Sequence, residues 1–253
     1  MNHLYHTLSP LILLASFLVS LLAFLAPTPI LSDRVSLLSV NVSSAAMASK
    51  RWLADEALAV PVHSKRMVKR LKKSNSTSAA SKAAIPVEIV FGPLGACCTK
   101  STTSDPVCES PSFTPIFVEL FDSLSLPSSV QSALPAQFPL APTALFASLI
   151  LLAFQFLAVV GSSFASHFTK RLAFLAGRQP AMRKAATAAG VLSLAIGLAA
   201  TITLRVQLAN VVEKLKGVSA EGQLGSGLQQ LFAGLALEAV AVLLLVSEAI
   251  TSR

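Results

Sequence analysis

Four apolar runs divide the chain, at about 8–31, 143–164, 185–206 and 228–250, each close to twenty residues or longer. At about 1.5 Å per residue, a helix of that length crosses a hydrocarbon core about 30 Å thick. Helices are required because unpaired peptide groups are not tolerated in lipid. The pattern therefore predicts four transmembrane helices separated by more polar stretches at 1–7, 32–142, 165–184, 207–227 and 251–253. The first run also has the position of a secretory leader. Met1 to Pro10 holds no Lys or Arg, however, the run exceeds the usual h-region of about 7–15 residues, and Pro27 crowds a cleavage point after Ala26. A retained helix is expected, and the alternative is a removed leader and three spans.

Short loops set orientation. The 165–184 segment holds Lys170, Arg171, Arg178, Arg183 and Lys184 and no acid. The 207–227 segment balances Lys214 and Lys216 against Glu213 and Glu221. The first is expected in the cytosol with both termini, and 32–142 and 207–227 are expected outside. Composition agrees with a bilayer setting. Of 253 residues, 53% are hydrophobic and 13% charged, about half the charge of an ordinary soluble domain. The net charge of +8 does not point to nucleic acid, because one Trp and one Tyr leave few stacking surfaces and no zinc-finger or RNP-like spacing occurs.

The long external segment contains all three cysteines, Cys97, Cys98 and Cys108. Val35–Val42 and Ile85–Phe91 read as strands, the second ending at the turn pair Gly92-Pro93. Leu94–Thr99 continues as a third strand, and Pro106–Glu109 is its expected partner. Adjacent strand residues face opposite ways, so only one of Cys97 and Cys98 faces Cys108. A bridge over that loop contributes about 2.5–3 kcal/mol by chain entropy. Two glycosylation sequons begin at Asn41 and Asn75. Asn41 is expected close to the membrane, which makes Asn75 the better acceptor. A basic patch comprises Lys65, Arg66, Lys69, Arg70, Lys72 and Lys73; its plain reading is a solvated stretch, its sharper one contact with an anionic polymer or headgroup. Within 115–134, Phe117, Leu120, Phe121 and Leu124 fall at helical spacing and predict one short amphipathic helix, with a second turn capped at Ser128 or Ser129. The expected fold class is a mainly α membrane protein: a four-helix transmembrane bundle with a small external antiparallel β region stapled by a disulfide.

Four spans, a long first external segment and the run Gly92-Pro-Leu94-Gly-Ala-Cys97-Cys98 followed by Cys108 resemble the claudin-like superfamily, nearest to fungal PalI-type and eisosome-associated plasma-membrane proteins. Gly92 and Leu94 stand for that family's Gly-Leu turn, Cys97 or Cys98 for its first cysteine and Cys108 for its second. Pro93 interrupts the pair, and Gly95 stands where the family has Trp. The resemblance implies a small antiparallel sheet packed on the bundle, residence in the plasma membrane, and roles in organising microdomains, in cell-wall or ambient-pH sensing, or in cell fusion or calcium uptake.

Inside the bundle, Glu238 is the one acid near the middle of a span. A charge there costs about 3 kcal/mol, so the carboxyl is expected to be protonated or hydrogen-bonded. Gln155 in the second span is its expected partner. A proton- or ion-coupled site is one reading, and an interhelical hydrogen bond of about 1 kcal/mol is the plain one; the lack of companion Asp, His or Arg favours the latter. The third span carries Ala185, Ala186, Ala189, Gly190, Gly197 and Ala200, small residues that allow close packing within the bundle or in a homo-oligomer. Gly222–Gly227 reads as a flexible turn. His3, His6, His63 and His167 are scattered, and no H-E-x-x-H, G-x-S-x-G, Walker A or G-x-G-x-x-G motif occurs. No catalytic residue, metal site or cofactor is expected. The expected partners are the lipid bilayer and other membrane proteins or further copies. A small channel or transporter subunit is the competing class.

Overall fold

The computed structural model describes residues 2–26, 35–42, 87–100, 107–124, 126–138, 140–164, 179–218 and 220–251. Four long helices form a bundle: α1 (Asn2–Leu25), α4 (Ala141–Phe164), α5 (Gln179–Leu215) and α6 (Ser226–Thr251). Each contains a stretch long and apolar enough to cross a membrane: Leu8–Leu25, Ala141–Ser163, Ala181–Leu215 and Ser226–Ser247. The most extensive helix pairs are α4 with α5 and α1 with α6, and lesser contacts of α1 with α4 and α5 with α6 close the ring. The first helix is integral to this packing. Leu13 and Ala23 are fully buried, and the Ser16 hydroxyl donates to the Gly234 carbonyl of α6 at 2.9 Å.

One end of the bundle carries a five-stranded antiparallel sheet of order β4-β3-β2-β1-β5. Its strands are β1 (Leu38–Val42), β2 (Val87–Phe91), β3 (Ala96–Lys100), β4 (Val107–Cys108) and β5 (Ala220–Leu224). The register places Val40 opposite both Ile89 and Gly222, and Ile89 opposite Cys98. The period-2 alternation sends Val40, Ile89, Phe91 and Cys98 into the core and leaves Asn41 and Glu88 exposed. On the exposed face the Ser39 hydroxyl donates to the Glu88 carboxylate across the β1–β2 pair at 2.9 Å.

Two short helices, α2 (Val118–Ser123) and α3 (Ser128–Ala133), stand where a short helix and a second turn are expected, but the second is capped by Pro127 and not by a serine hydroxyl. Pro127 stands at the N-cap of α3 with an extended ψ of 142°, which separates the two. Leu120, Phe121, Val130 and Ala133 are buried, and Val118 is exposed. Phe117 is fully buried and meets Phe91 of the sheet edge-on at 5.2 Å and Phe138 at 5.4 Å. One continuous core therefore runs from the sheet (Val40, Ile89, Phe91) through Phe117 into α5 and α6 (Leu204, Leu208, Leu228). A second apolar cluster fills the far end of the bundle around Leu13, Leu152, Ala186 and Leu245.

The largest departure from expectation follows the third span. Residues 207–227 do not form a loop. Helix α5 continues to Leu215, 37 residues and about 55 Å in all. Leu204, Leu208, Val211 and Leu215 form a buried stripe at intervals of three and four, while Arg205, Glu213 and Lys214 are exposed. The extension is amphipathic, so its mean hydropathy falls although its helical pattern persists. The Arg205 guanidinium lies 5.8 Å over the Phe232 ring and ties α5 to α6 near the sheet.

The chain then enters β5, whose glycines serve close approach rather than flexibility. Gly225 N donates to Leu37 O at 2.9 Å and Gly227 N to Ser36 O at 2.8 Å. A β-carbon on Gly225 would overlap the Ser36 backbone. A β-carbon on Gly222 would fall 2.8 Å from Leu215 Cδ1, so glycine lets β5 lie over the last turn of α5 without moving that side chain.

Candidate functional site

Two places concentrate the chemistry of this chain: the stapled hairpin at the edge of the sheet and a small, mainly apolar cavity in the bundle into which a few polar side chains project. At the hairpin, strands β2 and β3 are joined by Gly92-Pro93-Leu94-Gly95, closed by Gly92 N donating to Gly95 O at 2.9 Å. The turn is buried, and Leu94 belongs to the core shared by sheet and bundle. Leu94 thus anchors the hairpin in the core that the sheet shares with the helices.

Cys97 and Cys108 form a disulfide between the directly opposed residues of β3 and β4. The choice left open by the sequence is settled by strand phase: Cys97 shares the outer face with Cys108, and Cys98 turns into the core, where it is 1% exposed. Strand β4 has only two residues. Beyond its ladder it is held by Glu109 N donating to Ala96 O and Ser112 N donating to Leu94 O, at 2.9 and 2.8 Å.

Glu109 follows the disulfide directly. Its Oε2 is buried with no hydrogen-bond partner among the described residues. Burial, and secondarily the negative charge of Glu119, raise the Glu109 carboxyl above its ordinary pKa. Asn41 is exposed, on the face of β1 turned away from the core. Asn75 and the basic patch of Lys65, Arg66, Lys69, Arg70, Lys72 and Lys73 lie outside the described residues, as does most of the 165–184 segment.

In the bundle, α4 and α5 are clasped by a reciprocal serine pair. Ser148 Oγ donates to Ser193 O at 3.1 Å, and Ser193 Oγ donates to Ser148 O at 2.9 Å. Glu238 from α6 is 1% exposed, and its carboxyl lies beside the Ser193 hydroxyl. Its Oε1 has no hydrogen-bond partner among the described residues. Glu238 lines a cavity of about 20 Å³ to which all four long helices contribute, with Ser20, Ser148 and Thr201 supplying hydroxyls. A void of that size accommodates about one water molecule, and these groups offer the several polar contacts that a buried water needs.

The expected pairing of Glu238 with Gln155 does not form. Gln155 is fully buried, and neither end of its amide has a hydrogen-bond partner among the described residues. It lies seven residues beyond Ser148, about 10 Å along the axis of α4, whereas Glu238 sits level with the serine pair. Gln155 instead lies against Gly190, where a β-carbon would overlap the amide. Gly197 similarly admits Ser148 and Leu235, which would lie 2.7 and 2.8 Å from a β-carbon there. The small residues of the third span thus seat particular side chains of its neighbours within the chain. The sequence reading missed Ser148 and Ser193, which look like ordinary small residues of an apolar run.

The four bundled apolar helices and the disulfide-stapled sheet at one end make this a multi-pass membrane protein. No protein-family model matches the chain, and no curated protein matches it.

Proposed function

We propose that this chain is a non-enzymatic plasma-membrane protein that organises membrane microdomains, or senses cell-wall or ambient-pH conditions, through a stapled external cap. The observation that carries this reading is the continuity of cap and bundle. The sheet draws β1 to β4 from the segment before α4 and β5 from the segment between α5 and α6, and its core passes without a break into the helices. A ligand or partner acting on the cap therefore acts on the helix ends as well. The expected orientation, with basic 165–184 in the cytosol, puts this cap outside, where a disulfide persists. A small antiparallel sheet packed on a four-helix bundle, with Cys108 joined to one of Cys97 and Cys98, is also what the claudin-like resemblance implies.

The cavity at Glu238 favours a second reading, a channel or transporter subunit. Against it, the cavity is bounded by apolar packing on both sides: Phe24, Leu145 and Leu231 toward the sheet, and Leu13, Leu152, Ala186 and Leu245 toward the far end. A conducting path needs polar groups through both layers. The test is a tagged full-length protein imaged in cells of its own source. Patches at the cell edge that disperse in the Cys97→Ala, Cys108→Ala double variant, with total membrane insertion unchanged, support the organiser reading. A uniformly distributed wild type, or an ion flux abolished by Glu238→Gln, would overturn it in favour of the second.

A further inference from the structure

We propose that the sheet-bearing end of the molecule carries a lipid-docking rim, built from Phe113, Ile116 and Leu140, that dips into the adjoining leaflet and takes neutral rather than anionic lipid. The first observation is continuity with the lipid-facing side of α4. Thr143, Ala147, Ile150, Phe154 and Leu157 are all exposed and recur at intervals of three and four, which places them on one face of α4. Ile150, Phe154 and Leu157 lie within a membrane span, so this exposed apolar face meets acyl chains. Leu140, exposed, stands immediately before the first residue of this helix. Phe113 comes from the segment that follows the disulfide, far from α4 in sequence. Its ring nonetheless packs 5.0 Å from Phe146, which lies inside the span and stacks in turn on Phe24 of α1. A residue of the cap therefore reaches the depth of the second turn of α4 while still 45% exposed.

The second observation is the backbone at Leu140. Its φ is +65°, the left-handed region that disfavours residues with a β-carbon. Glycine or asparagine satisfies such a position at less cost. The leucine there is 78% exposed, so packing within the chain does not account for it. Lipid does: the strained cap of α4, held by Ala144 N and Thr143 Oγ1 donating to Leu140 O at 2.9 and 2.8 Å, turns an isobutyl group outward at the edge of the span. Ile116, 54% exposed and bridged to Gln137 just before this corner, widens the rim.

Charge selects the lipid class. From 107 to 164 the chain carries three acids, Glu109, Glu119 and Asp122, and no Lys, Arg or His. Glu119 and Asp122 are exposed on α2 beside the rim. Like charges oppose an anionic headgroup, so a zwitterionic surface is the occupant that fits.

The test uses full-length single-tryptophan chains in nanodiscs holding one copy each. Trp52 is replaced by Phe, and Trp is placed by Phe113→Trp or Leu140→Trp, with Phe154→Trp as the deep reference and Asn41→Trp as the solvent reference. With phosphatidylcholine brominated near the headgroup end of its chains, the tryptophans at 113 and 140 are expected to be quenched several-fold more than the one at 41. Bromines near the chain end should quench 154 best. Replacing a third of the lipid by phosphatidylserine should not deepen the quenching at 113 and 140. Emission at 113 and 140 that tracks position 41 would overturn the proposal. So would quenching that disappears when each disc holds two copies, which would make the rim an interface between chains, and so would quenching that strengthens with phosphatidylserine. If the tryptophan variants fail to fold, the wild type carries the test: a photoactivatable phosphatidylcholine should label the peptides containing Phe113 and Leu140, and labelling confined to the spans would refute it.

Discussion

Removing the staple should unfasten one strand and spare the rest of the sheet. In the Cys97→Ala, Cys108→Ala double variant, the closed loop spans a sequence separation of 11. Opening a loop of that size forfeits about 3 kcal/mol of chain entropy. Strand β4 has little else to hold it: two ladder pairs, Cys97 with Cys108 and Cys98 with Val107, and the amides of Glu109 and Ser112. By contrast β1, β2 and β3 pair over five residues each and bury Val40, Ile89 and Phe91 completely. The loss should therefore appear as local opening. Three kcal/mol corresponds to about a hundredfold loss of protection. Amide hydrogen exchange by mass spectrometry, in nanodiscs, reads this directly. Peptides covering 107–112 should exchange about a hundredfold faster, while those covering 87–99 keep their protection, and Cys98→Ser should leave 107–112 unchanged. Unchanged exchange at 107–112 would show that the strand is held by its backbone bonds. Loss of protection across the whole sheet would show that the staple supports the cap as a unit. Either result refutes the reasoning.

Further predictions address the pH response, the close contacts and the bundle. The raised carboxyl of Glu109 binds its proton more tightly in the folded cap than in the unfolded chain. Its contribution is therefore fully present below the ordinary carboxylate range and is lost as pH rises through the raised value. Glu109→Gln should stabilise the cap at neutral pH and flatten its melting curve across acid pH, as measured by exchange at 107–112; an unchanged pH profile would contradict this. Gly225→Ala should cost about 1–3 kcal/mol by overlap with the Ser36 backbone. Gly217→Ala, whose β-carbon would have an ordinary contact at 3.6 Å, should be near neutral in the same thermal melt. Gln155→Leu removes a buried amide with neither end partnered and should raise stability by about 1–3 kcal/mol; a fall would reveal a polar partner for it. Because α1 is hydrogen-bonded and buried within the bundle, mass spectrometry of the mature protein should recover peptides from 8–26, and their absence would overturn the retained-helix reading.

How much of this was legible in the sequence depended on whether a pattern was carried by apolar side chains. The spans are legible by length and hydropathy, β1 and β2 by their β-branched residues around Val40 and Ile89, and β3 only as a continuation past the Gly92-Pro93 turn. Strand β5, Ala-Glu-Gly-Gln-Leu, shows no such alternation, because it joins the sheet through its backbone and through the absence of a side chain at Gly222. Helix α5 outran its expected end because Arg205, Glu213 and Lys214 on one face lowered the mean hydropathy without breaking the buried stripe on the other. Glu238 was singled out correctly as buried, but its neighbour was not. Depth counted along a span ranks residues by level and says nothing about which side of the helix they occupy, so Gln155 was chosen where Ser193 is the group in reach. The pairing of Cys97 rather than Cys98 turned on the same missing quantity, the phase of a strand.

The placement of β5 also orders events during synthesis. When β1 to β4 leave the ribosome, β1 is an outer strand whose free edge has no match until residues 220–224 are made, after two more long helices. For that interval the nascent cap exposes a row of unsatisfied amides and carbonyls bordered by Val40 and Val42, the kind of edge that recruits foreign strands. Once β5 arrives, the sheet ends on a short polar glycine-bearing strand on one side and a two-residue stapled one on the other. Polar residues on one margin and a length of two residues on the other make both poorer templates for further growth.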